Sequence, residues 1–189
     1  MSQPAAVRLA RVLKVLVTIV FCCNLFTLLL VPGLSLMRTP AELLALTPYE
    51  NPLELPVRLA MVFLMAWKWV WTAGSYSTVL TVFLLFCGSC TAVLLWQGRL
   101  VLTTLAAASP FRRENADSLR RAAVCCFLIA AAALVRLLWG FWFYQSILPL
   151  LTYNALFCPI FLMGGLLCMV VSALFRQAAE LKEENDLTI

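Results

Sequence analysis

The chain has 189 residues, 63% of them apolar and only 12% charged, with a net charge of +5 and a mean hydropathy of +0.96. Soluble globular domains carry roughly 25% charged residues, so the composition excludes an ordinary soluble fold and points to an integral membrane protein. The bases come in blocks and no stretch interleaves them with aromatics, which argues against direct nucleic-acid binding.

In chain order, Arg8, Arg11 and Lys14 precede the first apolar run, Val15 to Leu36. A signal peptide begins in the same way, but this run exceeds an h-region of about 7–15 residues, and the following "VPGLSLMRTP" has no small-x-small cleavage pattern. It is expected to remain as an anchor. The segment 37–76 follows, with "TPAE", "TPYE" and "NPLE" each placing Thr or Asn before Pro and Glu two residues after it. These are helix-start signatures, with Thr39, Thr47 and Asn51 as N-caps and Glu42, Glu50 and Glu54 able to close a capping box. A carboxylate cluster for an external cation is the functional alternative.

Next comes "VRLAMVFLMAWKWVWTA", Val57 to Ala73, apolar enough to suggest a span although it carries Lys68. Three further runs are each near the roughly 20 residues that cross a bilayer: about Ser77 to Gly98, Ala122 to about Tyr144, and about Asn154 to Phe175. Charge bias arbitrates the count. If 57–73 crossed, Arg99, Arg112, Arg113, Arg120 and Arg121 would lie opposite the basic N-terminus, against the positive-inside tendency. With four spans, both termini and that arginine-rich loop share the cytoplasm. Trp67, Trp69 and Trp71 then suit the outer membrane-water boundary, on a helix that either lies at the interface or extends the second span outward.

The expected fold is therefore all-α: a polytopic membrane protein forming one domain, a four-transmembrane-helix bundle with an additional external interfacial or extended helix. Its external segment is 37–76, its cytoplasmic hairpin 99–121 and its cytoplasmic tail 176–189.

Catalytic chemistry has little to work with. The chain lacks histidine, and no Asp or Glu falls within the four spans, which removes the usual general bases and buried proton carriers. No enzyme activity, cofactor or metal site is expected. Eight cysteines include the C-x-x-C pair Cys87 and Cys90. A membrane thiol redox protein would need a second pair in an external loop, and none lies between Leu25 and Phe86. Cysteine as a small apolar packer is the simpler reading.

Arg136 lies fifteen residues beyond Arg121, about 22 Å into the third span, where an unpaired charge costs at least about 2.5 kcal/mol. Snorkelling, a hydrogen bond to Asn24 or Asn154, or an external glutamate would each compensate it. Together with Lys68 it defines an alternative function, a small transporter or channel for an anionic solute. Gly88 with Ser89, and Gly164 with Gly165, are expected to mark close helix packing.

Two charged motifs remain. "SPFRRENADSLRR" (109–121) carries four arginines and is expected to turn at Ser109-Pro110 into a helical hairpin, with Leu119 opposite the charge and the arginines against anionic lipid headgroups. "ELKEENDLTI" closes the chain with Glu180, Glu183, Glu184 and Asp186 against Arg176 and Lys182, so an acidic tail could dock on the arginine loop. Both motifs resemble those of a family of small bacterial four-span membrane proteins known only as a domain of unknown function. The family-like positions are Pro110, Phe111, Glu114, Asn115, Leu119 and Arg120, then Glu184, Asn185, Asp186, Leu187 and Thr188. The resemblance runs along the chain in span order, its tail being the most specific part. It implies a bacterial inner-membrane protein with a cytoplasmic partner of the small Cro/CI-type helix-turn-helix class. A regulatory or sensor module is the function so implied. Oligomeric association is left open by the sequence.

Overall fold

The computed structural model describes residues 3–36, 54–107, 112–151 and 153–187. Among these the chain is helical throughout, with α1 (Gln3–Leu36), α2 (Leu55–Trp69), α3 (Ser75–Ala106), α4 (Arg113–Tyr144) and α5 (Tyr153–Leu187), and one short 3-10 turn at Leu148–Leu151. Four of them are long and apolar enough to cross a membrane, and α2 is a shorter apolar helix. The protein is thus an all-α, multi-pass membrane protein. Large apolar side chains such as Phe26, Leu64, Trp142 and Leu167 stand exposed, which a lipid solvent accommodates and water does not.

The spans run further than their apolar cores. α1 already includes Arg8, Arg11 and Lys14, α3 continues past Arg99 to Ala106, and α5 carries the acidic tail as unbroken helix to Leu187. Helix α2 begins at Leu55 with Glu54 as its N-cap and a proline in its first turn. Thr39, Glu42, Thr47, Glu50 and Asn51 lie outside the described residues. The open question about 57–73 is resolved by the backbone: α2 is a separate helix, divided from α3 at Gly74, whose φ of 128° lies where a side chain would clash.

The chain forms two compact units, one of Met1–Asn24 with Ser89–Ile189 and one of Leu25–Gly88. In the smaller unit α1 and α3 run antiparallel. Leu28 meets Gly88 and Ser35 hydrogen-bonds Thr81, a step of seven residues in opposite directions. A Cβ on Gly88 would sit 2.6 Å from Leu28, so that glycine serves the close approach expected of it. Pro32, inside α1, cannot donate an N–H and its ring disturbs the preceding turn. There the Trp67 indole N–H donates to the Leu29 carbonyl at 3.1 Å, and the Phe63 ring occupies the space that a side chain on Gly33 would need. The Leu29 carbonyl takes the indole N–H and Gly33 makes room for the Phe63 ring, so α2 seats itself against this turn. Val31, Ala66, Val70 and Thr81 are buried around this joint.

The larger unit is built around α4, which packs along α5. Its buried side is made mostly of small residues, Ala116, Ala122, Ala123, Cys125, Cys126, Ala130 and Ala133, with Ile129 as the one large member. In lipid there is little hydrophobic drive between helices, so small side chains that let backbones approach and gain dispersion contacts select the central helix. Gly165 of α5 takes part, since a Cβ there would lie 2.7 Å from the Phe127 ring. Gly164, also expected at a helix contact, faces open space. α4 closes at Gln145, whose left-handed φ of 46° directs its N–H to the Phe141 carbonyl at 2.9 Å, a helix-ending geometry usually reserved for Gly or Asn.

Candidate functional site

The polar groups of the larger unit converge on the first turn of α4, where "RENA" follows the extended Arg112. Asn115 is 2% exposed. Its Oδ1 lies 2.9 Å from the Thr104 hydroxyl of α3, which also lies 2.7 Å from the Val101 carbonyl and so shares one proton between two acceptors. One residue on, the Ala116 carbonyl accepts from the buried Ser172 hydroxyl of α5 at 2.7 Å. Above these, Arg113 pairs with Glu183 of α5 at 2.8 Å, with both side chains more than half exposed. Within two turns of chain, α4 is therefore tied to α3 by a buried amide, to α5 by a buried hydroxyl, and to the end of α5 by an exposed ion pair.

Local sequence explains the arrangement. Thr104 lies seven residues after Gln97 and three after Val101, all on one face of α3, and Gln97 and Val101 are buried, so the hydroxyl is carried inward by helical periodicity. Ser172 is an isolated hydroxyl in an apolar stretch and needs a partner once buried. The arginines divide by the same periodicity. Asn115, Ala116 and Ser118 turn inward, Leu119 is half-buried, and Arg112, Arg113, Glu114, Arg120 and Arg121 face outward.

The family-like positions thus fall into two classes. Asn115 is a buried tie, whereas Glu114, Arg120, Glu184 and Asn185 are exposed. Asp186 and Leu187 belong to the helical tail, with their side chains outside the described set, and Pro110, Phe111 and Thr188 lie outside the described residues. The expected docking of the acidic tail on the arginine segment appears as Arg113–Glu183, which joins positions 70 apart in sequence. Arg176 and Glu180 form a second pair within α5 at 3.1 Å. Sequence reasoning missed Thr104, Ser172 and the particular acid, Glu183. For the two hydroxyls the available signal was a lone polar residue at a helical interval within an apolar face.

The intramembrane candidates belong to different units. Arg136 is half-buried on α4 in the larger unit, and Lys68 is exposed on α2 in the smaller one. Asn24 is not what satisfies Arg136, because the Asn24 Oδ1 is buried without a hydrogen-bond partner; the Gln97 Oε1 shares that state. All eight cysteines are free. Cys126 of α4 lies near Cys168 of α5, where each fills space between the helices as a small side chain. Among the described residues no three potential ligands gather to hold a metal ion.

Comparison with known proteins adds one finding. The family described as "Protein of unknown function (DUF2975)" matches residues 65–189, from the second half of α2 through the whole of α3, α4 and α5. No curated protein and no solved structure matches the chain. The match takes in both charged motifs and the helices that bring them together, and the chain belongs to the DUF2975 family of proteins of unknown function.

Proposed function

We propose that this protein is a non-enzymatic regulatory module of the bacterial inner membrane, in which the α3–α4 hairpin and the end of α5 form one cytoplasmic surface that engages a partner protein. The observation that carries this reading is the Arg113–Glu183 pair: it makes two motifs at distant places in the sequence into a single charged surface, bordered by Arg112, Glu114, Arg120 and Glu184, all exposed. Side chains held outward on rigid helices are the usual material of recognition, and the spans supply no acid or histidine for chemistry. The resemblance drawn from the sequence favours a small helix-turn-helix regulator as partner. The orientation rests on the basic residues, since Arg8, Arg11 and Lys14 on α1 and the arginines of the hairpin obey the positive-inside tendency only if they share the cytoplasm.

Two measurements test the reading. The charge-reversed double variant Glu184→Lys/Asp186→Lys is expected to lose its cytoplasmic partner on co-purification in mild detergent, while retaining its elution volume on gel filtration. Retention of the partner at the parent's level removes the tail from the contact. A C-terminal fluorescent-protein fusion is expected to fluoresce and an alkaline phosphatase fusion at the same place to be silent; the opposite pattern overturns the orientation.

A further inference from the structure

The first turn of α4 holds its neighbours by two kinds of tie that respond differently to their surroundings. Thr104–Asn115 and Ser172–Ala116 are neutral, and Asn115 and Ser172 are buried. Arg113–Glu183 is charged, with side-chain exposures of 60% and 57%. Beyond Ala179, which is 3% exposed, every side chain from Leu181 to Asn185 stands exposed. The last two turns of α5 thus extend past the buried packing, and the Arg113–Glu183 pair is a charged tie between them and α4.

The surroundings of Arg113 are strongly basic. Arg112 is exposed at the N-cap, and Arg120 and Arg121 are exposed on the same helix as Arg113, immediately before the apolar stretch that starts at Ala122. Arg120 and Arg121 are therefore within one turn of hydrocarbon, and Arg113 within about 14 Å of it along the helix axis, a distance over which headgroups and their surface potential act. Phosphodiester headgroups offer arginine the same paired acceptor oxygens as a carboxylate does. They are supplied by a whole surface rather than by one residue, and an exposed ion pair opposes such competition only weakly.

We propose that Glu183 is an internal competitor for an anionic-lipid site, so that anionic phospholipid headgroups take Arg113 from it and release the last two turns of α5 while the buried ties keep α3, α4 and α5 together. This deepens the preceding reading, because it rests on the hairpin and tail forming one surface and makes that surface responsive to the charge of the bilayer. Its test involves no partner protein, so the two readings fail separately.

The full-length protein is reconstituted in nanodiscs of phosphatidylcholine alone or with phosphatidylglycerol, and amide hydrogen exchange is followed at the end of α5. In phosphatidylglycerol the amides of 182–187 are expected to exchange about two- to fivefold faster than in phosphatidylcholine, the range that loss of an exposed ion pair permits. Amides near Ser172 are expected to be unchanged. Glu183→Gln is expected to exchange fast in both discs, and Arg113→Gln to match it. Equal exchange of the parent protein in the two discs overturns the proposal, as does a Glu183→Gln variant that still responds to phosphatidylglycerol. Release by inorganic phosphate in phosphatidylcholine discs, at matched ionic strength, overturns the assignment to a lipid headgroup.

Discussion

Helices α4 and α5 are neighbours of equal hydropathy, yet 39% of the most apolar window of α4 is buried and only 6% of that of α5. Hydropathy reports which segments leave water; it does not report which of them leaves lipid. The difference lies in side-chain size. α4 turns alanine, serine and cysteine toward its neighbours, whereas α5 turns Leu162, Met163, Leu166 and Leu167 outward and approaches α4 closely at Gly165. Centrality in the larger unit is conferred by what is absent from the side chain.

The comparison can be broken most directly by enlarging the centre. Ala123 has no exposed surface, and Ala123→Leu is expected to cost about 1–3 kcal/mol through overpacking, measured as a lower unfolding midpoint in mild detergent. Leu167→Ala, on the exposed side of α5, is expected to stay within about 0.5 kcal/mol. Equal effects would mean that α4 is not the packing centre.

The buried amide comes next. Asn115→Leu removes an inward hydrogen bond and is expected to destabilise by about 1 kcal/mol, the net worth of a typical buried hydrogen bond. Unchanged stability would show that the tie to Thr104 does not hold the helices.

Adjacent glycines sharpen the contrast within α5. Gly165→Ala drives a methyl toward the Phe127 ring and is expected to lower the unfolding midpoint. Gly164→Ala meets nothing within 4 Å and is expected to raise stability by up to about 1 kcal/mol through helix propensity. The two midpoints should therefore move in opposite directions. The smallest effect belongs to Glu183→Gln, expected to change global stability by about 0–1 kcal/mol and less at high salt. A larger loss, insensitive to salt, would place that pair among the structural ties rather than at a surface contact.

The span count and the separation of charged from apolar stretches were legible because bilayer thickness imposes a length on any apolar helix. The proximity of hairpin and tail was legible in part. The charges invited it, but that Glu183 meets Arg113 depends on helical phase across two long helices, which residue type does not record. The joint at Pro32-Gly33 was legible only as a local disturbance, since nothing in "VPG" says that Phe63 and Trp67, thirty residues on, will fill it. The capping signatures at Thr39, Thr47 and Asn51 lie outside the described residues.

By itself, the sequence determined that this chain is helical, that four segments reach across a bilayer and that charged residues, Arg136 apart, are kept out of their apolar cores. Each of these follows from the cost of placing a charge or an unpaired peptide group in hydrocarbon. Tertiary structure alone decided that α4 is central, that Asn115 is a buried tie while its neighbour Glu114 faces outward, and that Arg113 meets Glu183. Those outcomes depend on rotation about helix axes and on close contact between small side chains, and energies of that kind exist only once the helices are side by side.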